Sequence, residues 1–504
     1  MEVIDSNLGL KQGCPLSPIL FNIYISDLEP YLRDPGSDIT LHDTAISHFL
    51  YADDLVIIAN SKEGLQKKLD GLGLFAKEKD LTVNKKKSQI IIFNKSGRRG
   101  KDIFTLDGIK LDTVQTYTYL GVEMISSGSF STAIKEINNK ARKALIPLIK
   151  TAAQFRIPFE RTARLFKTYV EPILLYNAEN WAIFTNKDIA RSKKNKNYIH
   201  ENSLKAPITT TQLKFFKYAL GVGRQSPNLA VLGEIADIPL NHKATLTMMK
   251  YWNRIRDMDE TSLVKKAYLM NLTMNSNWCQ TIQTLNATLE LNINNPTGSD
   301  YTRLAKNKIS DTFITYWREE IDKQPPRLQF YAQNKTRFER GTYLDTLPFK
   351  KRQQITKLLC SNHKLEVETG RHRKIEREHR LCKVCTLGNV EDETHFLRVC
   401  PAYEEIRKKR IPTATRSILE YDPESIALFV QEAYNLREES LAPWVATQVS
   451  LDNMKITISK KGNSTRIKPM PLQVTNRTDS GLKFTIRRQK RGTLSPETSF
   501  KTFH

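Results

Sequence analysis

The stretch that decides the fold is His48-Phe49-Leu50-Tyr51-Ala52-Asp53-Asp54-Leu55-Val56-Ile57-Ile58-Ala59, in which two apolar runs flank adjacent carboxylates. Neighbouring side chains of one flat strand point to opposite faces, so adjacent aspartates within a strand could not share a ligand. A tight hairpin with its turn at Ala52-Asp53-Asp54 removes that difficulty, because the turn carries the carboxylates while the apolar runs pair beside it. Asp53 and Asp54 would then be hard oxygen ligands for Mg²⁺. The alternative is an ordinary Asp-Asp turn between buried strands.

The composition is that of a basic chain. Lys and Arg number 78 against 54 Asp and Glu, which gives a net charge of +24 and a pI near 9.6. This balance indicates a polyanionic partner, nucleic acid before membrane, or else a generally basic surface. A hydrophobic content of 39% suffices for packed cores, and 504 residues suit about three domains.

Several classes of protein are disfavoured. No apolar stretch approaches the ~18 residues of a membrane span, and Met1-Glu2-Val3-Ile4-Asp5 lacks the basic and apolar regions of a signal peptide. Six cysteines in a chain of this length do not form a disulfide scaffold. The sequence therefore predicts an intracellular protein of the nucleus or cytoplasm that has no membrane partner.

Residues 7–30 predict a loop followed by a helix. Gly13 gives the loop backbone freedom, Ser17 suits the N-cap position, and Pro18 suits the first helical position. An apolar stripe follows and ends before a proline: Ile19, Leu20, Ile23 and Tyr24. The pair Gln12-Gly13 at the helix start could contact a phosphate or a base, and a plain helix cap is the alternative.

Two of these stretches together resemble a known family. Lys11-Gln12-Gly13-Cys14-Pro15-Leu16-Ser17-Pro18 followed by Tyr51-Ala52-Asp53-Asp54 resembles the reverse transcriptases of non-LTR (LINE-type) retrotransposons. In that family the first block precedes the palm helix beneath the incoming nucleotide, and the second is the catalytic hairpin.

The resemblance continues downstream. Residues 81–93 are similar to the family's lysine-bearing block, with Lys87 aligned to the lysine near the nucleotide phosphates. A solvated charge run is the alternative for residues 85–87. Tyr117-Thr118-Tyr119-Leu120-Gly121-Val122 resembles the hairpin that grips the primer end, and a buried strand with a glycine turn is its alternative.

The resemblance implies an RNA-directed DNA polymerase that acts on an RNA template and a DNA primer or target. Polymerisation is an in-line phosphoryl transfer assisted by two metal ions, here Mg²⁺. The resemblance assigns roles as follows: Asp53 and Asp54 as catalytic metal ligands, Gln12, Gly13, Tyr51 and Lys87 as nucleotide or template contacts, and Tyr119, Leu120 and Gly121 as the primer grip.

The family takes a third catalytic aspartate from a strand well before the Gln-Gly block. Eleven residues precede Gln12 here, and Asp5 lies in a run that resembles this strand but leaves no room for the helix that should follow. We therefore expect an N-terminally truncated chain without fingers, inactive alone and open to a fingers-bearing fragment in trans. The alternative is a non-catalytic nucleic-acid-binding remnant that uses its basic surface.

From Ser131 the pattern becomes helical. The apolar face is Ile134, Ile137, Ala141, Leu145 and Leu148, the basic residues off it are Lys135, Lys140, Arg142 and Lys143, and Pro147 is expected to end the helix. The segment Glu171–Trp181 resembles the family's helical thumb. The basic face either follows the phosphates of a template–primer duplex or is simply solvated.

A second strong motif is Cys-x2-Cys-x9-His-x4-Cys, formed by Cys382, Cys385, His395 and Cys400. Three thiolates and an imidazole predict a closed, tetrahedral, structural Zn²⁺ site, and unmetallated buried cysteines are the alternative. In the family this module helps to hold RNA or target DNA. The basic residues of 371–380 would be its phosphate contacts, or a solvated basic helix.

The predicted fold class is α+β. We expect a partial palm of antiparallel sheet and helices at 1–126, a helical thumb at 127–255, a helical connection at 256–360, a zinc knuckle at 361–412 and a poorly defined basic region at 413–504. One or two helices are expected within 413–447. A disordered basic tail from 450 onwards carries the cluster at 487–491, which is a weaker candidate for nuclear import.

Overall fold

The computed structural model describes residues 10, 13–186, 197–291, 299–412 and 417–458. The Cα positions divide the chain into one unit of residues 1–439 and another of 440–504. The α+β class is confirmed, since small sheets near the amino end precede a long series of helices. Asp5, Gln12 and the cluster at 487–491 lie outside the described residues.

The strands form small sheets. They are β1 Ile39–Leu41, β2 Thr44–Ile46, β3 His48–Tyr51, β4 Asp54–Ile57, β5 Gln89–Ile91, β6 Phe104–Leu106, β7 Ile109–Val114, β8 Thr116–Tyr119 and β9 Val122–Ile125. Antiparallel hairpins join β1 to β2, β3 to β4 and β8 to β9. In the remaining sheet β7 is central, parallel to β5 and antiparallel to β6.

The helices follow in chain order. They are α1 Ser17–Tyr24, α2 Glu29–Leu32, α3 Lys62–Glu78, α4 Ser131–Gln154, α5 Phe159–Tyr169, α6 Glu171–Leu174, α7 Ala178–Asn186, α8 Tyr198–Lys205, α9 Pro207–Leu220, α10 Asn228–Ile235, α11 Leu240–Arg256, α12 Leu263–Thr273, α13 Asn277–Thr288, α14 Ser299–Asp322, α15 Gln329–Asn334, α16 Tyr343–Thr346, α17 Phe349–Leu359, α18 Glu366–His372, α19 Glu404–Arg410 and α20 Pro423–Ile458. None of the described helices combines the length and apolarity needed to cross a membrane.

Two hydrophobic cores organise the described residues. The smaller lies in the amino-terminal part, where Leu69, Leu72 and Phe75 of α3 pack on residues of the sheet β5–β7–β6. The larger contains buried described residues from Ile134 to Ala433, so the segments predicted as thumb, connection and zinc knuckle contribute to one core. The domain boundaries proposed within that range stay a prediction.

Helix α1 differs from its prediction in two ways. Ser17 is its first helical residue, and Leu16 occupies the N-cap position. No side chain of this fully described helix is buried, and Ile19, Leu20 and Ile23 of the expected apolar stripe are each more than half exposed. Periodicity finds the apolar face of a helix, but it does not show whether another element covers that face.

Helix α4 has the predicted apolar face, with Ile134, Ile137 and Ala141 buried. The expectation that Pro147 ends the helix is wrong, because α4 continues to Gln154. A proline inside a helix removes one backbone hydrogen bond. Pro147 and Lys143 both lie on the exposed side, where water can satisfy the Lys143 carbonyl that loses its partner.

At the carboxyl end of the first unit, α20 begins at Pro423 and its early residues Phe429, Val430 and Ala433 are buried in the larger core. The prediction of helix within 413–447 is confirmed. The helical backbone extends to Ile458, so the expectation of a disordered tail from 450 onwards is wrong as far as that residue.

Candidate active site and metal centre

The acidic stretch forms the predicted hairpin. Strands β3 and β4 pair from His48 opposite Ile57 to Tyr51 opposite Asp54, which leaves Ala52-Asp53 as a two-residue turn. Ala52 takes a left-handed backbone, φ 54°, as a tight hairpin turn of this kind requires. Both carboxylates are therefore held at the tip of one rigid element.

The alternative of an ordinary turn between buried strands does not fit the structure. The outer residues of β3 are exposed, by 42% for Phe49 and 65% for Tyr51. Asp53 and Asp54 are exposed as well, and within the described ranges neither carboxylate forms an ion pair. Uncompensated carboxylates at an exposed tip are available to a cation.

A buried ion pair supports the hairpin at the end of β4. Lys68 of α3 donates to Asp38 at 2.6 Å and to the carbonyl of Ile58, directly after β4, at 2.7 Å. The Lys68 and Asp38 side chains are only 1% and 3% exposed. Helix α3 approaches closely because Gly64 has no Cβ, which would lie 2.0 Å from the Cβ of Ser37. The end of β4 is thus tied to the core of this region.

A cavity of about 470 Å³ opens beside the hairpin. Its polar lining comes from Asn22, Ser26 and Glu29 on one side and from His48 of β3 on the other, and Tyr51 closes the end near the turn. Burial lowers the pKa of His48, whose Nδ1 lies 2.9 Å from the Ser47 hydroxyl. The cavity therefore lies along β3 as far as Ala52 of the turn, and both polar and apolar residues line it.

The predicted primer-grip hairpin, β8 with β9, lies close to the acidic one. Burial raises the pKa of Tyr119, and the negative charge of Asp54 raises it further. Two residues assigned to different roles from sequence, Tyr119 and Asp54, are thus within electrostatic reach of each other.

Two residues of the predicted thumb contact the turn of this hairpin, and sequence reasoning missed the contacts. The Tyr176 hydroxyl donates to the carbonyl of Leu120 at 2.7 Å, and the amine of Lys140 donates to the carbonyl of Gly121 at 3.2 Å. Sequence placed Lys140 on a basic face and Tyr176 within the thumb motif. Neither the basic face nor the thumb motif indicates a partner that lies 19 or more residues away in the chain.

The other assigned residues occupy separate places. Gly13 has a φ of 85°, as its loop role predicts, whereas its neighbour Gln12 lies outside the described residues. Lys87 is exposed in a turn closed by its amide on the Asn84 carbonyl at 3.1 Å, just before β5. Lys85 instead pairs with Asp107 at 2.9 Å, which separates it from Lys87 in function.

The predicted metal ligands converge. One donor atom from each of Cys382, Cys385, His395 and Cys400 lies within 4.8 Å of all the others, and Cys385 Sγ is 3.4 Å from His395 Nε2. A tetrahedral zinc with bonds of about 2.0–2.3 Å separates neighbouring ligand atoms by about 3.5 Å. The donor set therefore fits one tetrahedral ion with small adjustment.

Local backbone geometry explains the convergence. The first two cysteines follow a bridge between Leu381 and Val390, with the chain reversal eased by Gly388 at φ 69°. Residues 395–399 form a single π-helical turn, in which the amide of Cys400 donates to the carbonyl of His395 at 2.8 Å. An i to i+5 bond places residues five apart on one side of the turn. The His-x4-Cys half of the motif is thus a π-helical turn.

Burial holds three side chains of the cluster in their neutral forms. Burial, reinforced by the neighbouring cysteines, raises the pKa of Cys400 to about 12, and burial also raises the pKa of Cys382. Burial lowers the pKa of His395, so its imidazole is neutral and can act as a ligand. Thiols in such surroundings become thiolates when a cation replaces the proton.

A buried ion pair supports the cluster, and sequence reasoning missed it. Glu391, fully buried, accepts two hydrogen bonds from Arg437 of α20 at 2.7 Å each and one from the amide of Glu366 at 2.7 Å. The adjacent pair His363 and Glu393 is joined at 2.7 Å. The acidic run before His395 was visible in the sequence, but no pattern connected it to Arg437.

Most of the basic side chains expected to contact phosphates already have protein partners. Arg371 pairs with Glu368 at 2.8 Å, and Arg377 pairs with Asp392 at 3.3 Å. Arg373 pairs with Glu366, and Arg380 donates to two backbone carbonyls. These guanidinium groups stabilise the module. His372 Nε2 lies 3.3 Å from the Arg371 guanidinium, so Lys374 is the exposed basic residue of this set without a side-chain partner among the described residues.

Comparison with known proteins agrees with this geometry. Residues 2–124 match the family described as reverse transcriptase (RNA-dependent DNA polymerase). Over 327 residues the chain is 24% identical to the Retrovirus-related Pol polyprotein from type-1 retrotransposable element R2 of Popillia japonica, covering 63% of this chain and 46% of that protein. The chain is similar to the reverse transcriptases of non-LTR retrotransposons. The resemblance inferred from its motifs is confirmed.

Further relatives carry the same printed name. A second match to an R2 Pol polyprotein of Popillia japonica is 29% identical over 180 residues, 34% of this chain and 24% of that protein. The R2 Pol polyprotein of Nasonia vitripennis is 28% identical over 156 residues, 28% of this chain and 14% of that protein. The chain spans less than half the length of these relatives.

Proposed function

We propose that this chain is the RNA-directed DNA polymerase portion of an R2-like retrotransposon protein, copying an RNA template from a DNA primer. The observation that carries the proposal is the hairpin tip, where Asp53 and Asp54 are exposed and uncompensated and the neighbouring Ala52 lines an open cavity. The reverse transcriptase match over residues 2–124 supports the same reading.

Asp53 and Asp54 would hold Mg²⁺, whose preferred ligands are carboxylate oxygens. Bound ions would stabilise the attacking 3′ oxygen and the leaving pyrophosphate. The protein's own groups would position the reactants: Tyr51 beside the hairpin turn, Lys87 toward the nucleotide phosphates, and the Leu120-Gly121 turn against the primer end. Such positioning supplies much of the rate in phosphoryl transfer.

The chain acting alone is proposed to be impaired. A two-metal site needs carboxylates from more than one strand. Among the described residues, the one group of His, Cys, Asp or Glu with metal-binding spacing is the Cys382–Cys400 cluster, so no third ligand accompanies Asp53 and Asp54 there. This observation favours a second candidate function, that of a nucleic-acid-binding protein without catalysis. A fragment supplying the missing carboxylate in trans would restore the first.

The first prediction separates these functions. We expect the purified chain to extend a DNA primer on an RNA template slowly in Mg²⁺, and Asp53→Asn to lower the rate by more than about 100-fold. The physical reason is that the amide loses the charge that holds the ion while keeping the shape of the side chain. The measurement is primer extension under single-turnover conditions.

Asp112→Asn is the matched control, because Asp112 is an exposed aspartate of β7 in the same region. Its extension rate should equal that of the unmodified chain. Duplex binding without any extension would contradict the polymerase proposal and support the binding function. Extension that survives Asp53→Asn would show that the hairpin is not the catalytic site.

The second prediction concerns the metal centre. We propose that Cys382, Cys385, His395 and Cys400 hold one structural Zn²⁺. Metal analysis of the purified chain should give about one zinc per molecule, and Cys400→Ser should reduce it well below one. The same substitution should destabilise the shared core, because zinc binding contributes directly to folding.

Cys279→Ser serves as the control, since Cys279 is buried in α13 outside the cluster. It should leave the zinc content unchanged. A metal-free chain whose residues 361–412 resist proteolysis as well as the unmodified chain would exclude a structural zinc.

A further inference from the structure

The turn between β8 and β9 has two carbonyls that its own hairpin leaves free. Leu120 and Gly121 have consecutive left-handed backbones, φ 45° and 79°, and Tyr119 pairs with Val122 across the turn. A two-residue turn of this kind directs its central carbonyls away from the strands. Leu120 is unusual there, because a side chain makes the left-handed conformation costly. Partners outside the hairpin are needed to hold it.

Both partners come from the thumb. Tyr176 donates to Leu120 at 2.7 Å and Lys140 donates to Gly121 at 3.2 Å. The Tyr176 ring also covers the turn, since a Cβ on Gly121 would lie 3.4 Å from it. The two donors belong to different segments, α4 and the residues after α6, so the turn is fixed from two directions.

Tyr176 is itself firmly anchored. Its backbone carbonyl accepts a hydrogen bond of 2.7 Å from the indole of Trp181, whose side chain is fully buried in the larger core. The Tyr176 hydroxyl therefore fixes the turn relative to the thumb core. Tyr119, directly before the turn, lies within electrostatic reach of Asp54.

We propose that Tyr176 and Lys140 are positioning residues that fasten the Leu120-Gly121 turn to the thumb and so place the primer terminus opposite the acidic hairpin. The inference rests on the proposed polymerase function and adds to it the side chains that set the geometry. It assigns the tyrosine of the thumb motif a role that its sequence context does not indicate.

The test uses the full chain with Tyr176→Phe, which removes one hydroxyl and keeps the ring. We expect hydrogen–deuterium exchange at residues 119–122 to accelerate by about two- to tenfold, as the loss of one hydrogen bond implies. Nucleotide addition to bound primer–template should slow by a similar factor, while duplex affinity changes by less than about twofold. Lys140→Met should act in the same direction.

Tyr169→Phe is the matched control, because Tyr169 is an exposed tyrosine of α5 that has no side-chain hydrogen bond in the described part of the chain. It should change neither exchange nor the addition rate. Unchanged exchange at residues 119–122 in Tyr176→Phe would overturn the inference. Faster exchange with an unchanged addition rate would also overturn it, since the contact would then be structural alone.

A fluorescent 2-aminopurine at the primer 3′ end distinguishes failure of this inference from failure of the polymerase function. If the unmodified chain binds duplex without extending it, the polymerase proposal fails, and this probe decides the present one. A shifted fluorescence in Tyr176→Phe relative to Tyr169→Phe would support positioning, and identical fluorescence would overturn it. A chain that binds no duplex would overturn both.

Discussion

The two histidines packed between α8 and α11 form a buried hydrogen-bonded chain. The amide of Asn241 donates to the Ser203 hydroxyl at 3.3 Å, and that hydroxyl lies 3.2 Å from His242 Nδ1. His242 Nε2 lies 3.1 Å from His200 Nδ1. The Asn241 side-chain nitrogen donates to Ser203, and one arrangement that satisfies the chain has Ser203 donating to His242 Nδ1 and His242 Nε2–H donating to His200 Nδ1. Both imidazoles are neutral in this arrangement.

The third prediction follows from that neutrality. Burial lowers the pKa of His200 to about 4, and burial together with His200 lowers the pKa of His242 well below its usual value. Below pH 6.5 the two imidazoles therefore bind protons in the unfolded chain, whereas in the folded chain they stay neutral to a lower pH. Stability is full above pH 6.5 and falls as the pH is lowered, by about 2 kcal/mol at pH 5 for His200. Denaturant unfolding at pH 7 and pH 5 measures this loss.

Replacing His242 should reduce the change in the free energy of unfolding between pH 7 and pH 5. This holds for any effect of the substitution on stability at pH 7. His372→Gln is the control, since that histidine is exposed on α18. Acid effects at the metal centre are common to all variants and cancel in the comparison. Should the His242 variant fail to fold, the imidazole proton resonances of the unmodified chain decide the point. A buried imidazole that titrates near pH 6.5 would contradict the prediction.

At the scale of elements, the basic face of α4 is the surface best suited to a duplex. Lys135, Arg142 and Lys143 are exposed, and none has an ion pair among the described residues. Lys140, on the same face, instead contacts the Gly121 carbonyl. Long cationic side chains without protein partners are free to replace the counterions of phosphates.

The fourth prediction tests this face. Replacing Lys135, Arg142 and Lys143 together by Gln should lower the slope of log binding constant against log salt concentration by up to about three, because each lost phosphate contact removes about one unit. Fluorescence anisotropy with an RNA–DNA duplex at several salt concentrations gives the slope.

The matched control removes the same charges from side chains that have acidic partners: Arg303 with Asp300, Lys308 with Glu290 and Lys323 with Glu320. Net charge falls equally in both triple variants, so a difference in slope identifies contact rather than overall attraction. Equal slopes in the two variants would exclude α4 as the duplex-binding face.

The sequence predicted an element correctly where the chemistry of the residues and their spacing indicated the same structure. The acidic hairpin follows from two apolar runs around Asp53-Asp54, and the metal centre follows from ligand spacing alone. The prediction at Pro147 was wrong because the rule that proline ends a helix assumes that no water can hydrogen-bond to the freed carbonyl. The exposed stripe of α1 could not be anticipated, because periodicity says nothing of what packs against a face.

For the molecule as a whole, the contacts that sequence missed are those between distant segments. Tyr176 with Leu120, Arg437 with Glu391 and Lys266 with Thr44 each join residues of different predicted domains. A single chain without aligned relatives has no record of which positions change together. Local patterns therefore located the sites, and tertiary structure was needed to find what holds them.

One such contact connects the amino-terminal sheets to the helical connection. Lys266 of α12 donates to Thr44 at 2.6 Å and pairs with Asp43 at 2.8 Å, where it lowers the pKa of Asp43 to about 2. The partners Thr44 and Lys266 are 222 residues apart in the chain.

This separation has a consequence for biosynthesis. At about 5–20 residues per second, a ribosome needs about 10–45 seconds to make the residues between the two partners. Closing so long a loop is also slow by entropy. The hairpin of β1 and β2 therefore cannot contact α12 until that helix has been synthesised. The apolar stripe of α1 is exposed during this time. Chaperones have that interval in which to act, and translation speed would affect the yield of folded protein.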